Sequence, residues 1–174
     1  MQLSYFFYYF CSVMKRTLIL IALLLVGGLT AMAQLKEKAT ARELRELVNP
    51  GNKVFVIFDD KTGDIDEKAQ FIVEFLTQDA RWKVVESLKE ADFVLYVEGH
   101  SGRSEHSITT KTYYMTPTIR RKDGTDVWTG ETVYDWASLA NGFKAVKSVS
   151  WRLVQSLKKG LSKELGEDRI LLTV

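Results

Sequence analysis

The stretch that decides the fold is Lys111–Trp136, KTYYMTPTIRRKDGTDVWTGETVYDW. β-prone residues on both sides of Asp123-Gly124 predict an antiparallel hairpin, with strands over Ser107–Arg121 and Asp126–Trp136. A two-residue turn sets the register, pairing Arg121 with Asp126, Ile119 with Trp128, Pro117 with Gly130, Met115 with Thr132, Tyr113 with Tyr134 and Lys111 with Trp136. In that register Tyr113, Trp128, Tyr134 and Trp136 share an apolar face that belongs to the core. Thr112, Tyr114, Thr116 and Thr118 lie on the polar face with Val133 and Asp135. A sheet with one wet side carries its helices on the other. Pro117 opposite Gly130 marks a bulge or an edge.

Upstream, Thr40 and Glu43 form a capping box for a helix over 41–48, which Asn49-Pro50-Gly51 ends. KVFVIF, Lys53–Phe58, reads as a strand buried on both faces. Asp64 and Glu67 form a second capping box, and Ile65, Ala69, Ile72 and Leu76 keep helical spacing after it. WKVVES predicts a short strand and ADFVLYVEG a longer one that is apolar at both parities, as a central strand is. From Phe143 to Leu165 apolar residues keep helical spacing until Gly166 stops the longest helix. The tail DRILLTV has the pattern of an added edge strand. The expected class is α+β, a mixed and mainly antiparallel sheet with helices packed on one face as a two-layer sandwich.

The N-terminal residues do not read as fold. From Met14, Lys15 and Arg16 precede an apolar run over Leu18–Val26, a Gly27-Gly28 break and Ala31-Met32-Ala33. This is the layout of a secretory signal peptide, and the run is far shorter than the ~20 residues of a membrane span. The expected organisation is an N-terminal extension over 1–13 from a misassigned start, a leader over 14–33 and one exported domain over 34–174. Lys15 and Arg16 are the only charges before residue 34, so their loss turns a formal charge of +2 into neutrality. Neutrality argues against nucleic acid and anionic lipid as partners. Cys11, the single cysteine, falls outside the exported domain, which then has no disulfide, no thiolate and no lipidated cysteine. No stable membrane anchor is expected after cleavage; the expected location is the periplasm or the outside of the cell.

Both histidines lie in GHSGRSEH, Gly99–His106. With Glu98 and Glu105, His100 and His106 supply the atoms of a zinc hydrolase, but their spacing fits no helical ligand pair. Ser101 and Ser104 lack the Gly-x-Ser-x-Gly elbow of a serine hydrolase, and the two glycines between strands predict a polar connecting loop. DDKTGDIDE, Asp59–Glu67, resembles a calcium loop centred on Gly63, yet Phe58 and Ala69 stand where its first Asp and last Glu belong. No metal and no cofactor are therefore expected.

In order of elements (buried strand, amphipathic helix, EADFVLYVEG, long strand, KDGTDVWTGE, final long helix) the chain resembles small exported envelope domains. These are the N-terminal domain of the Tol-system protein TolB, curli-secretion-type lipoprotein domains and related envelope lipoproteins. The resemblance covers roughly Lys53–Leu165 and implies a non-enzymatic binding or assembly module acting by protein contacts. The alternatives are a small metal-dependent hydrolase on the 99–106 loop and a carbohydrate-binding module. The expected partner is another envelope protein or a glycan, met by Thr112, Tyr114, Thr116 and Thr118.

Overall fold

In the computed structural model, which describes residues 40–63, 65, 70–103, 111–138 and 144–166, the α+β expectation holds. Helix α1 covers 40–47, α2 Gln70–Asp79 and α3 Ala145–Leu165. The strands are β1 (Lys53–Asp60), β2 (Lys83–Val84), β3 (Phe93–Arg103), β4 (Lys111–Arg120), β5 (Asp126–Thr129) and β6 (Val133–Trp136). They form a single sheet in the order β2-β1-β3-β4-β5, with β6 also paired to β4. β1 runs parallel to β2 and β3, and β4 is antiparallel to β3, β5 and β6.

β3 is central, as its apolar residues at both parities require. Phe93, Leu95 and Val97 point to the helices and are fully buried with Val54, Met115 and Ile119. Leu44 and Val48 from α1, Ile72 and Leu76 from α2, and Leu153, Leu157 and Leu161 from α3 complete the core. Each such side chain contributes roughly 1.5–3 kcal/mol by leaving water. α3 ends where the sequence stops it: Gly166 has φ 65° and donates its N–H to the Lys163 carbonyl. Ile65 is buried but precedes α2 rather than forming its first turn. Its N–H is held by the Asp60 carboxylate at 2.8 Å. Asp64, Glu67, Phe143 and the tail lie outside the described residues.

Two expectations are corrected. First, GHSGR is not a loop: Gly99–Arg103 continue β3, with His100 opposite Tyr114 and Arg103 opposite Lys111. Packing requires glycine at Gly99, whereas Gly102 lies within ordinary contact of its neighbour. A Cβ on Gly99 would stand 2.4 Å from Phe58 Cζ on the inner side, and one on Gly102 would stand 3.4 Å from Tyr114 Cε2 on the outer. Second, the hairpin register holds only near its turn. Thr118 pairs with Thr129 and Ile119 with Trp128 as expected, but Arg120 meets Asp126 across an irregularity. Beyond Gly130 the pairs are Met115 with Val133, Tyr114 with Tyr134, Tyr113 with Asp135 and Thr112 with Trp136. Three residues, Gly130 to Thr132, thus face two, Thr116 and Pro117. That extra residue is a bulge, and a one-residue slip exchanges the faces of everything after it.

Candidate functional site

The bulge has a chemical consequence. Tyr134 and Trp136, expected in the core beside Tyr113, turn out to the side of the sheet away from the helices, while Val133 and Asp135 turn in. The exchange is stable because the inward carboxylate is fully served. Asp135 is buried and accepts hydrogen bonds from Ser148 Oγ and the Trp136 N–H, with Arg152 at 3.2 Å. A buried carboxylate without such partners would cost several kcal/mol.

On the outer face the four rings form a row across three strands. His100 stacks on Tyr114 with centroids 4.8 Å apart and planes 8° apart. Tyr114 lies 5.8 Å from Tyr134, and Tyr134 6.4 Å from Trp136 at 22°. Tyr134 is the open member at 51% exposure. Beside the row, Thr116 and Thr132 share a hydroxyl hydrogen bond of 2.7 Å at the surface, and Glu98 stands opposite Thr116, exposed. Half-buried rings thus stand next to hydroxyls and a carboxylate on one face.

The remainder of this face is satisfied within itself. The Asp59 carboxylate accepts from Lys61 Nζ and Tyr96 Oη, which hold its pKa below the usual range, Lys61 more than Tyr96. The Arg120 guanidinium lies 3.5 Å over the Tyr96 ring and pairs with Asp126, which raises its pKa. These groups answer one another and leave little for a ligand.

Of the residues expected to bind, Tyr114 and Thr116 keep exposed surface, whereas Thr112 and Thr118 are buried at 4% and 6%. Thr118 contacts Thr129 through its hydroxyl at 3.3 Å. Glu98 and His100 share the outer face; Glu105 and His106 lie outside the described residues. Among the described residues no three His, Cys, Asp or Glu side chains are placed to hold a metal ion. The sequence pattern weighs Tyr134 and Trp136 as a sugar platform but places them in the core, and the signal against that placement is Pro117 opposite Gly130, where Gly130 donates its N–H to the Pro117 carbonyl at 2.8 Å. A separate groove of about 290 Å³ between α3 and β5 is lined by Trp128, Lys159 and Lys163 but equally by Glu131 and Glu164.

No protein-family model matches the sequence, nor does any curated protein. Among solved structures, the chain is similar to a PelC dodecamer from Paraburkholderia phytofirmans, at 17% identity and a TM-score of 0.47, over 63% of this chain and 89% of that one. It is similar to the uncharacterized lipoprotein B of Nitrosomonas europaea, at 11% identity and a TM-score of 0.45, over 68% and 88%. A third neighbour is a lipoprotein from Neisseria meningitidis, at 12% identity and a TM-score of 0.40, over 64% and 99%. No residue is carried over from these structures.

Proposed function

We propose that the protein is an exported, non-enzymatic binding module that holds a glycan of the cell envelope on the face of its sheet away from α1, α2 and α3. The observation that carries this reading is the bulge at Gly130–Thr132, which sets Tyr134 and Trp136 beside Tyr114 and His100. Sugar rings present C–H faces that stack on aromatics and hydroxyls that need partners, which Thr116, Thr132 and Glu98 supply. Export is carried by the leader pattern over 14–33. A hydrolytic reading is less well supported, because His100 spends one ring face on Tyr114 and has no carboxylate bonded to its nitrogens among the described residues.

The test is glycan-array binding, followed by affinity electrophoresis in gels containing the retained polysaccharide. Retention is expected for the wild type and for Trp151→Ala on the far side of the molecule. Tyr134→Ala should weaken it by about tenfold, the value of one lost stacking contact of ~1.4 kcal/mol. Equal retention of Tyr134→Ala and wild type would remove the aromatic row as the site. Absence of any retained glycan, together with capture of an envelope protein that Tyr134→Ala no longer captures, would make the partner a protein.

A further inference from the structure

The opposite surface of the molecule carries a different pattern, independent of the reading above. α3 buries Val149, Leu153, Leu157 and Leu161 and turns a stripe of Trp151, Arg152, Gln155, Lys159 and Lys163 to solvent, all exposed. Lys144, at the N-cap, is exposed just before it. Over Ala145–Leu165 there are five basic residues and one acid, Glu164. The flanking cations are used elsewhere: Lys158 pairs with Asp79 and Lys147 with Glu74. Arg152 reaches Asp135 yet stays half-exposed, and Lys159 and Lys163 form no ion pair among the described residues, although Glu131 and Glu164 line the same groove. At one end of this stripe Trp151 is 52% exposed, the most exposed of the large hydrophobic side chains described.

Formal neutrality of the exported chain thus conceals an uneven surface, with basic side chains in excess along one helix whose exposed face also carries an indole. We infer that this face of α3 rests on an anionic lipid surface, reversibly and without insertion. Cations gain from the negative potential of the headgroups, and tryptophan, apolar with one N–H donor, is suited to the boundary between headgroup and acyl chain. Insertion does not enter, since no described helix is long and apolar enough to cross a membrane; the apolar side of α3 is already spent on the core. Because the helices cover one side of the sheet, lipid contact through α3 leaves the aromatic row facing away from the membrane.

The measurement is co-sedimentation of the chain recovered from the exported fraction with vesicles of phosphatidylcholine containing about one-third phosphatidylglycerol, against pure phosphatidylcholine. Binding is expected only to the anionic vesicles and is expected to fall as salt rises. The double variant K159E/K163E should lower the partition coefficient by about tenfold or more, and W151A should lower it with unchanged salt dependence. Tyr134→Ala should bind as wild type, which separates this result from the fate of the glycan reading. Far-ultraviolet circular dichroism of each variant shows whether the fold is kept, and both substitutions are at exposed positions. Equal binding to neutral vesicles, or wild-type binding by a folded K159E/K163E, would overturn the inference. So would retention on immobilised poly-glutamate without vesicle binding, which would make the partner an acidic polypeptide.

Discussion

Gly160 shows how one residue is settled by its neighbours. A glycine inside α3 costs about 1 kcal/mol relative to alanine, so alanine there would ordinarily stabilise the helix. Here a Cβ would stand 2.8 Å from Trp128 Cζ2, and a Cβ at Gly130 would stand 2.6 Å from Trp128 Cη2. A Cβ at Gly160 would force this ring to shift. Gly160→Ala is therefore expected to destabilise by about 1–2 kcal/mol in urea unfolding, as overpacked positions do. In a Trp128→Leu background the same change should become neutral or stabilising. A Gly160→Ala cost that persists in that background would show that the indole is not its cause.

The bulge between β5 and β6 is a property of the element, and deletion tests it where substitution does not. Glu131 is exposed and sits where the longer strand gains its extra residue. Glu131→Ala should leave stability within about 0.5 kcal/mol. Deleting Glu131 leaves two residues opposite two, so Val133 still meets Met115 and Tyr134 still meets Tyr114: the bulge goes and the faces of residues 133–136 are kept. Asp135 then retains Ser148 and Arg152, and a change within about 1 kcal/mol is expected in thermal unfolding. A loss of about 3 kcal/mol or more, the cost of leaving a buried carboxylate without its partners, would mean that the deletion shifts the register. The same element shows how far patterning reaches. The Asp123-Gly124 turn, with φ 90° at Gly124, and the pairs Ile119–Trp128 and Thr118–Thr129 are legible, because turn geometry governs its nearest residues. The faces of residues 133–136 are not, because aromatic content alone favours burying Tyr134 and Trp136 over Val133 and Asp135, and the partners of Asp135 come from a distant helix.

At the scale of the molecule, α1 is tied to the hairpin turn by Glu43, whose carboxylate accepts from Arg121. That hydrogen bond holds the Glu43 pKa below its ordinary value of 4.5. A carboxyl more acidic in the folded state stabilises the fold above its unfolded pKa and loses that contribution as pH falls through the folded value. Both side chains are partly open to solvent, so the contact is worth less than about 1 kcal/mol. Glu43→Gln should accordingly unfold at lower urea than wild type at neutral pH, with the gap closing in acid. A gap unchanged between neutral pH and pH of about 3 would show that the carboxylate charge does not contribute.

The sequence by itself determined the leader pattern, the class of fold, the central place of β3, the extent of α3 and its glycine stop. These follow from local periodicity, turn chemistry and capping, which act over a few residues. Only the tertiary structure decided that GHSGR is strand rather than loop, since its pairing with β4 and the packing of Phe58 against Gly99 come from other strands. It alone decided which rings face outward and where the cations gather. Those outcomes depend on the register between strands and on which helix face is spent on the core, and both are set by contacts between residues far apart in the chain.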